Sequence, residues 1–211
     1  MDHKSQRWFG AESFEPAACQ HSMKKLRHAT EKLIDNTRGL HVGCLNDEWT
    51  FTNDIDTGEA LELLITAQAL SKYFRGFTVP ELQKLCNILN FFVLKNGVDV
   101  LKKGEQASFF ALILEGRIDL LLPPGTDGGE RSVPMYRGDT LGDITYFMGG
   151  SRTGNCRCKQ NGTVVAILAF PKVAAWMEIE PALVCKIVWM LAKAAFQKLH
   201  EDKLRTEPPE R

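Results

Sequence analysis

Residues suited to binding an anion and a sugar fall within one short glycine-rich stretch of the chain. Gly142 and Asp143 open a brief apolar segment, and Ser151 and Arg152 follow the glycine pair that ends it. Amide groups at the start of a helical turn point outward and favour negative charge. A planar guanidinium can hold a phosphate through two parallel hydrogen bonds, and a carboxylate can accept a hydrogen bond from a sugar hydroxyl. The pattern therefore predicts an anion pocket with a sugar-binding carboxylate beside it.

This stretch resembles the phosphate-binding cassette of cyclic nucleotide-binding domains. The cassette pattern is Gly-Glu-Leu-Ala-Leu, a short gap and Pro-Arg-Ala-Ala, and residues 142–146 and 151–154 fall on its two blocks. In the family the Glu binds the ribose hydroxyl and the Arg binds the cyclic phosphate, so the resemblance implies these roles for Asp143 and Arg152. Asp here replaces Glu, and Ser-Arg-Thr-Gly replaces Pro-Arg-Ala-Ala. The implied ligand-binding residues are Gly142, Asp143, Ile144, Thr145, Ser151, Arg152 and Thr153.

The resemblance covers roughly residues 70–200, because further blocks match in order. Residues 112–120, Leu-Ile-Leu-Glu-Gly-Arg-Ile-Asp-Leu, resemble a strand pair of the family, and residues 136–139 resemble the turn before its cassette. Short β-rich runs punctuated by glycine between Phe91 and Phe170 predict about eight strands, a spacing typical of a barrel or double-sheet jelly roll. The expected fold is α+β and mainly β: an eight-stranded antiparallel β-roll flanked by N-terminal helices and two C-terminal helices.

Helical periodicity and capping signals place the remaining elements and the domain boundaries. Apolar spacing predicts helices over residues 23–36 and 57–74, and Thr78, Pro80 and Glu81 form a second helix start. The period returns after Pro171, and a longer helix begins at Pro181; in the family this last helix caps the bound base. We therefore divide the chain into a flexible arm (1–22), a helical N-terminal extension (23–75), a cyclic nucleotide-binding-like domain (76–204) and a tail (205–211).

Composition and charge exclude several classes of function. The 26 basic and 26 acidic residues balance, so no overall field attracts nucleic acid. The sequence contains no run of about 18 apolar residues that could span a bilayer, and its amino terminus lacks the apolar core of a secretory signal. We therefore expect a cytoplasmic protein without a membrane span or a nucleic-acid partner.

The cysteines and histidines argue against a metal site or an enzyme. Cys156 and Cys158 are two apart on a predicted strand, but no histidine lies near them, and residues 91–170 contain no histidine at all. Reduced, buried thiols are the better interpretation of the cysteines. No nucleophile and base stand at a spacing typical of catalysis. We expect no catalytic residue, no metal and no cofactor; the ligand that the resemblance implies is cAMP or cGMP.

Two features of the cassette bear on whether it binds a nucleotide. Asp143 is shorter than Glu by one bond, about 1.5 Å, and a lost charge-assisted hydrogen bond would weaken binding by roughly ten- to a hundredfold. Tyr146, Phe147 and Met148 are bulky for a cassette, and large side chains there could fill the cavity from within. Thr153 resembles the Thr that contacts guanine in cGMP-binding members, yet cAMP-binding relatives can have it too, so the base preference stays open.

Two hypotheses follow. The first is a non-catalytic sensor module in which capture of a cyclic nucleotide repositions the helix from Pro181 and the signal passes to a protein partner by contact. The second is a degenerate scaffold subunit that binds no nucleotide and uses the arm, the acidic segment 40–71 and the loop 123–131 to join a larger assembly. The resemblance alone suggests a cilium or flagellum as the setting of the second hypothesis.

Overall fold

The computed structural model describes residues 49–51, 55–123 and 131–206 of the chain. The predictions for the arm 1–22, the helix 23–36, the loop around 124–130 and the tail beyond Thr206 therefore lie outside the described residues. Five helices and nine strands are described: β1 (Trp49–Phe51), α1 (Thr57–Leu70), α2 (Val79–Cys86), β2 (Asn90–Leu94), β3 (Asp99–Leu101), β4 (Phe109–Glu115), β5 (Arg117–Leu122), β6 (Arg131–Tyr136), β7 (Thr140–Leu141), α3 (Asp143–Met148), β8 (Asn155–Cys158), β9 (Thr163–Ala169), α4 (Phe170–Met177) and α5 (Pro181–Thr206).

The strands form two antiparallel sheets. One has the order β1-β2-β9-β4-β7 and the other the order β3-β8-β5-β6. The predicted roll of eight antiparallel strands, with helices before it and two helices after it, is confirmed. The short strand β1, which pairs with β2, is an addition that the sequence did not predict. At the far edge of the smaller sheet, β6 carries Arg131 and Pro134 and pairs only with β5 among the described strands.

The larger sheet is covered on both faces, and this explains why β4 is an unbroken apolar run. Its odd-numbered side chains, such as Ile113, pack between the two sheets, and its even-numbered ones, such as Leu114, pack against the helices. Both of these residues are fully buried. A strand buried on both faces is expected to be apolar throughout rather than alternating. Each such side chain contributes about 1.5–3 kcal/mol to the free energy of folding.

The two N-terminal helices begin where the sequence predicted. The Asp56 carboxylate accepts a hydrogen bond from the backbone N–H of Glu59 at 2.8 Å and so caps α1. At α2, the Glu81 carboxylate accepts hydrogen bonds from the backbone N–H of Thr78 at 2.7 Å and from the Thr78 hydroxyl at 3.0 Å. Local side-chain chemistry therefore fixes both starts.

Helix α1 ends at Leu70, although the prediction extended it to Phe74. The hydroxyl of Ser71 donates to the carbonyl oxygen of Gly138 at 2.6 Å and accepts from the N–H of Phe74 at 2.8 Å. Ser71 is buried, and a Cβ on Gly138 would lie 2.8 Å from the Ser71 Cα. The turn before β7 lies against Ser71, and this contact ends the helix. Helical periodicity in the sequence cannot reveal such a tertiary contact.

Candidate functional site

The candidate site is the turn between β7 and β8, which contains the short helix α3. The backbone enters the turn at Gly142 with a left-handed φ of 79° and leaves it through Gly149 and Gly150, whose φ values are 68° and 80°. A Cβ on Gly142 would overlap the Nη1 atom of Arg152 and lie 3.2 Å from the carbonyl oxygen of Phe109. Glycine is required at position 142 both for its φ and for the space that the arginine occupies.

Arg152 lies inside the molecule, beneath this turn, with 4% of its surface exposed. Its Nη2 donates to the carbonyl oxygen of Phe109 at 2.6 Å, and its Nη1 donates to the Thr145 hydroxyl at 3.4 Å. The guanidinium carbon also lies 4.6 Å from the centre of the Phe109 ring. The start of β4 and the start of α3 together hold the guanidinium in one orientation.

Asp143 is also buried, with 2% exposure, and accepts three hydrogen bonds. Its Oδ1 accepts from the N–H of Ile144 at 2.9 Å. Its Oδ2 accepts from the Thr140 hydroxyl and from the Nζ of Lys198, each at 2.5 Å. The Lys198 ammonium donates as well to the backbone oxygen of Thr140 at 2.5 Å. An ion pair therefore joins the cassette to the long C-terminal helix α5.

Sequence reasoning missed Lys198, although the pattern of α5 held a signal for it. Val184, Ile187, Leu191 and Ala195 form the buried stripe of this helix. Lys198 lies three residues after Ala195 and so continues the spacing of this stripe. An apolar side chain is expected at such a position, but the sequence has a cation there. A lysine in that register is expected to meet a buried acid.

Cys156 lies close to the charged groups of the site. Burial raises the pKa of its thiol to about 12, even though the nearby cations of Lys198 and Arg152 act to lower that pKa. A thiol with so high a pKa is a poor nucleophile at neutral pH. Cys156 and Cys158 are buried and free, as expected from the sequence, whereas Cys185 is exposed, contrary to that expectation.

The structure brings together some of the predicted ligand-binding residues and separates others. Gly142, Asp143 and Thr145 surround the Arg152 guanidinium, and the Thr145 hydroxyl also donates to the carbonyl oxygen of Gly142 at 3.3 Å. Ile144 is half-buried and contributes its N–H to Asp143. The side chains of Ser151 and Thr153, on either side of the arginine, are exposed.

The bulky cassette residues do not pack into the core between the two sheets. Tyr146 packs on the helical side, with ring centres 6.4 Å from Phe110 and 5.0 Å from Phe170. Phe147 and Met148 are exposed at 45% and 71%. The sequence-based concern that these side chains fill the roll from within is therefore not borne out by their positions.

In the described ranges, no three His, Cys, Asp or Glu side chains are grouped so that they could hold a metal ion. Nor does any helix among those ranges have the length and apolar character needed to cross a membrane.

Arg157, in the strand after the cassette, pairs with Asp99 at 2.7 Å on the smaller sheet.

Comparisons with known proteins agree with this architecture. A cyclic nucleotide-binding domain from Methylobacillus flagellatus KT superimposes with a TM-score of 0.63 and 19% identity, covering 81% of this chain and 96% of that one. The regulatory subunit of a cAMP-independent protein kinase A from Trypanosoma brucei superimposes with a TM-score of 0.50 and 19% identity, covering 70% of this chain and 53% of that one. At such identities the similarity establishes the fold.

The sequence comparison reaches one part of a much longer protein. A cGMP-dependent protein kinase of Plasmodium berghei (strain Anka) is 27% identical over 84 residues, which cover 40% of this chain and 9% of the kinase. The chain therefore matches less than a tenth of that relative. No protein-family model matches the chain.

Proposed function

We propose, on the premise that the chain has the fold of cyclic nucleotide-binding domains, that it is a non-catalytic regulatory module that binds a cyclic nucleotide in the turn between β7 and β8. The ligand is cAMP or cGMP, and the module acts in the cytoplasm by contact with a protein partner. The similarity to a kinase regulatory subunit and to part of a cGMP-dependent kinase supports a regulatory role.

The observation that carries the proposal is the buried, oriented guanidinium of Arg152. The carbonyl oxygen of Phe109 and the hydroxyl of Thr145 accept hydrogen bonds from the guanidinium and fix its orientation. A cation removed from water interacts strongly with a phosphate, because the low local dielectric strengthens the attraction. Guanidinium and phosphate also match in geometry and can form two parallel hydrogen bonds.

The neighbouring residues complete a site for a sugar phosphate. Gly142 has no side chain, so it leaves room for the arginine beneath the turn. Asp143 lies next to it in the chain, where its carboxylate can accept a hydrogen bond from the ribose hydroxyl. Thr153 is exposed beside Arg152 and is the residue we propose to contact the base. We propose that these residues bind and orient the nucleotide and take part in no reaction.

The test is calorimetric titration of the protein with cAMP and with cGMP, alongside Arg152→Ala, Arg152→Lys and the control Arg157→Ala. Removing a charge-assisted hydrogen bond costs about 1.5–3 kcal/mol, so we expect Arg152→Ala to weaken binding by about 10- to 100-fold. Arg152→Lys retains the charge but not the paired donors, and we expect an intermediate loss. Arg157→Ala should leave binding unchanged. Binding heat that Arg152→Ala does not alter would contradict the proposal.

One observation favours the second candidate function, a scaffold that binds no nucleotide. The Asp143 carboxylate is already satisfied by Thr140, Ile144 and Lys198, so the protein has internal partners for the group that should bind the sugar. This candidate would prevail if neither nucleotide bound at millimolar concentration and the protein purified in a stable stoichiometric complex. Its ciliary or flagellar setting remains a proposal from the sequence resemblance.

A further inference from the structure

We propose that Lys198 of α5 is a specificity-determining residue of this site, because a ribose hydroxyl reaches Asp143 only by displacing the Lys198 ammonium. This inference rests on the proposed function. It adds a residue from outside the cassette and predicts which chemical feature of the ligand that residue governs.

The Asp143 carboxylate has little capacity left for another donor. A carboxylate offers about four lone-pair positions, and the three hydrogen bonds from Ile144, Thr140 and Lys198 occupy most of them. The Asp143 side chain is 3% exposed and that of Lys198 is 22% exposed. The carboxylate is therefore shielded from solvent, while part of the Lys198 side chain remains accessible.

Of the three donors to Asp143, Lys198 is the one that can leave. The Ile144 donor is a backbone N–H within α3, and Thr140 is fully buried in β7. The Lys198 ammonium is at the end of a flexible four-carbon side chain, and water can hydrate it after it leaves Asp143. Once the ribose hydroxyl has replaced the ammonium, the carboxylate again accepts three hydrogen bonds.

Departure of Lys198 also loosens α5. The Nζ atom bonds both to the Asp143 carboxylate and to the backbone oxygen of Thr140, so a single side chain fastens the helix to α3 and to β7. Binding of the sugar and docking of this part of α5 are therefore in competition. The two equilibria are linked, and each must weaken the other by the same factor.

The ligand feature that Lys198 governs is the ribose 2′ hydroxyl. In a 3′,5′-cyclic nucleotide the phosphodiester uses the other two sugar oxygens, so the 2′ hydroxyl is the one left to donate to Asp143. A 2′-deoxy analogue has no group to exchange for the ammonium. In the native protein the benefit of the hydroxyl is offset by the loss of the ion pair, so the two ligands should bind within about threefold of each other.

The first experiment measures the affinities of cAMP, cGMP and their 2′-deoxy analogues for the native protein, Lys198→Met and the control Lys193→Met. Lys193 is on the same helix, where its Nζ lies 5.2 Å from the centre of the Trp189 ring. We expect Lys198→Met to raise the affinity for the ribose ligand about tenfold and to leave that for the 2′-deoxy ligand within about threefold, since only the former gains a hydrogen bond without losing the ion pair. Lys193→Met should match the native protein.

The second experiment measures amide hydrogen exchange in α5, first without ligand and then with the ribose ligand. The measurement without ligand separates this inference from the proposed function. Without ligand, we expect amide exchange around position 198 to be faster in Lys198→Met than in Lys193→Met. In the native protein, we expect exchange there to become faster when the ribose ligand is added. If no ligand binds, the proposed function fails and faster exchange in Lys198→Met still supports the contact of Lys198 with Asp143. An unchanged ratio of ribose to deoxyribose affinity in Lys198→Met, or equal exchange in the two variants, would overturn the role of Lys198.

Discussion

Glycine is required at position 142 for two separate reasons, the backbone conformation and the space beside it. The left-handed φ of 79° disfavours any residue with a Cβ, and the space that the Cβ would occupy is taken by Arg152. Gly150 has a φ of 80°, and a Cβ there would have no neighbour within 4 Å. The pair therefore separates backbone strain from steric exclusion of the arginine.

We expect Gly142→Ala to destabilise the protein by about 2–4 kcal/mol and Gly150→Ala by about 1–2 kcal/mol. The left-handed conformation alone costs an alanine about 1–2 kcal/mol, and at position 142 the displaced guanidinium adds to that cost. Urea unfolding monitored by tryptophan fluorescence measures both values. Equal losses in the two variants would show that Arg152 moves aside freely and that its position is not fixed by the turn.

On the scale of elements, a single acid on α2 connects two helices. Glu81 accepts hydrogen bonds from the backbone and hydroxyl of Thr78 and from the Nζ of Lys186 on α5, the last at 2.8 Å. These contacts, with the bond from Lys186 the largest cause, lower the pKa of Glu81 to about 2. Because the folded pKa is below the unfolded value, the contribution of Glu81 is fully present above about pH 4.5 and is lost as the pH falls toward 2.

We expect Glu81→Gln to lower the free energy of unfolding at pH 7 by about 1 kcal/mol, since solvent screens a side chain that is 23% exposed. The difference from the native protein should shrink as the pH falls from about 4.5 to about 2. Urea titrations over a pH series measure it. Glu178→Gln, at an exposed helix end, is the control and should change stability by less than about 0.5 kcal/mol. A Glu81→Gln difference that stayed constant with pH would refute the assignment.

For the molecule as a whole, the larger sheet is the layer that both cores share. Ile113 packs between the sheets and Leu114 packs against the helices, although they are neighbours on one strand. The helical layer and the roll are therefore expected to lose their structure together, because neither can expose its face of the sheet alone. Cooperative unfolding of a single domain follows from this arrangement.

We expect Ile113→Ala and Leu114→Ala each to cost about 2–5 kcal/mol, the range for truncating a fully buried branched side chain. Both variants should unfold in one transition, with coincident circular dichroism and fluorescence curves. Two separate transitions in Leu114→Ala, with the roll surviving the helices, would show that the helical layer is an independent unit.

The sequence predicted those features whose cause is local or repeated. Capping chemistry at Thr78 marked a helix start, and the glycine-flanked runs indicated the longer strands of the roll. The two-residue strand β7 and the end of α1 at Leu70 were missed because pairing with β4 and the contact between Ser71 and Gly138 create them. The bond between Lys198 and Asp143 spans 55 positions in the chain, so no local pattern could pair the two residues. The family resemblance identified the cassette but not the helix residue that closes on it.

Among the described strands, β6 lies at one edge of the smaller sheet, and this position has a consequence for solubility. Opposite Asp119, β6 carries Pro134, which has no N–H with which to continue a ladder of hydrogen bonds. Arg131, at the beginning of the same strand, would place a like charge beside that of a second molecule added edge to edge. A strand added to this edge would therefore find no N–H donor at Pro134 and would be repelled by the cation of Arg131. Both features protect an open sheet from edge-to-edge aggregation.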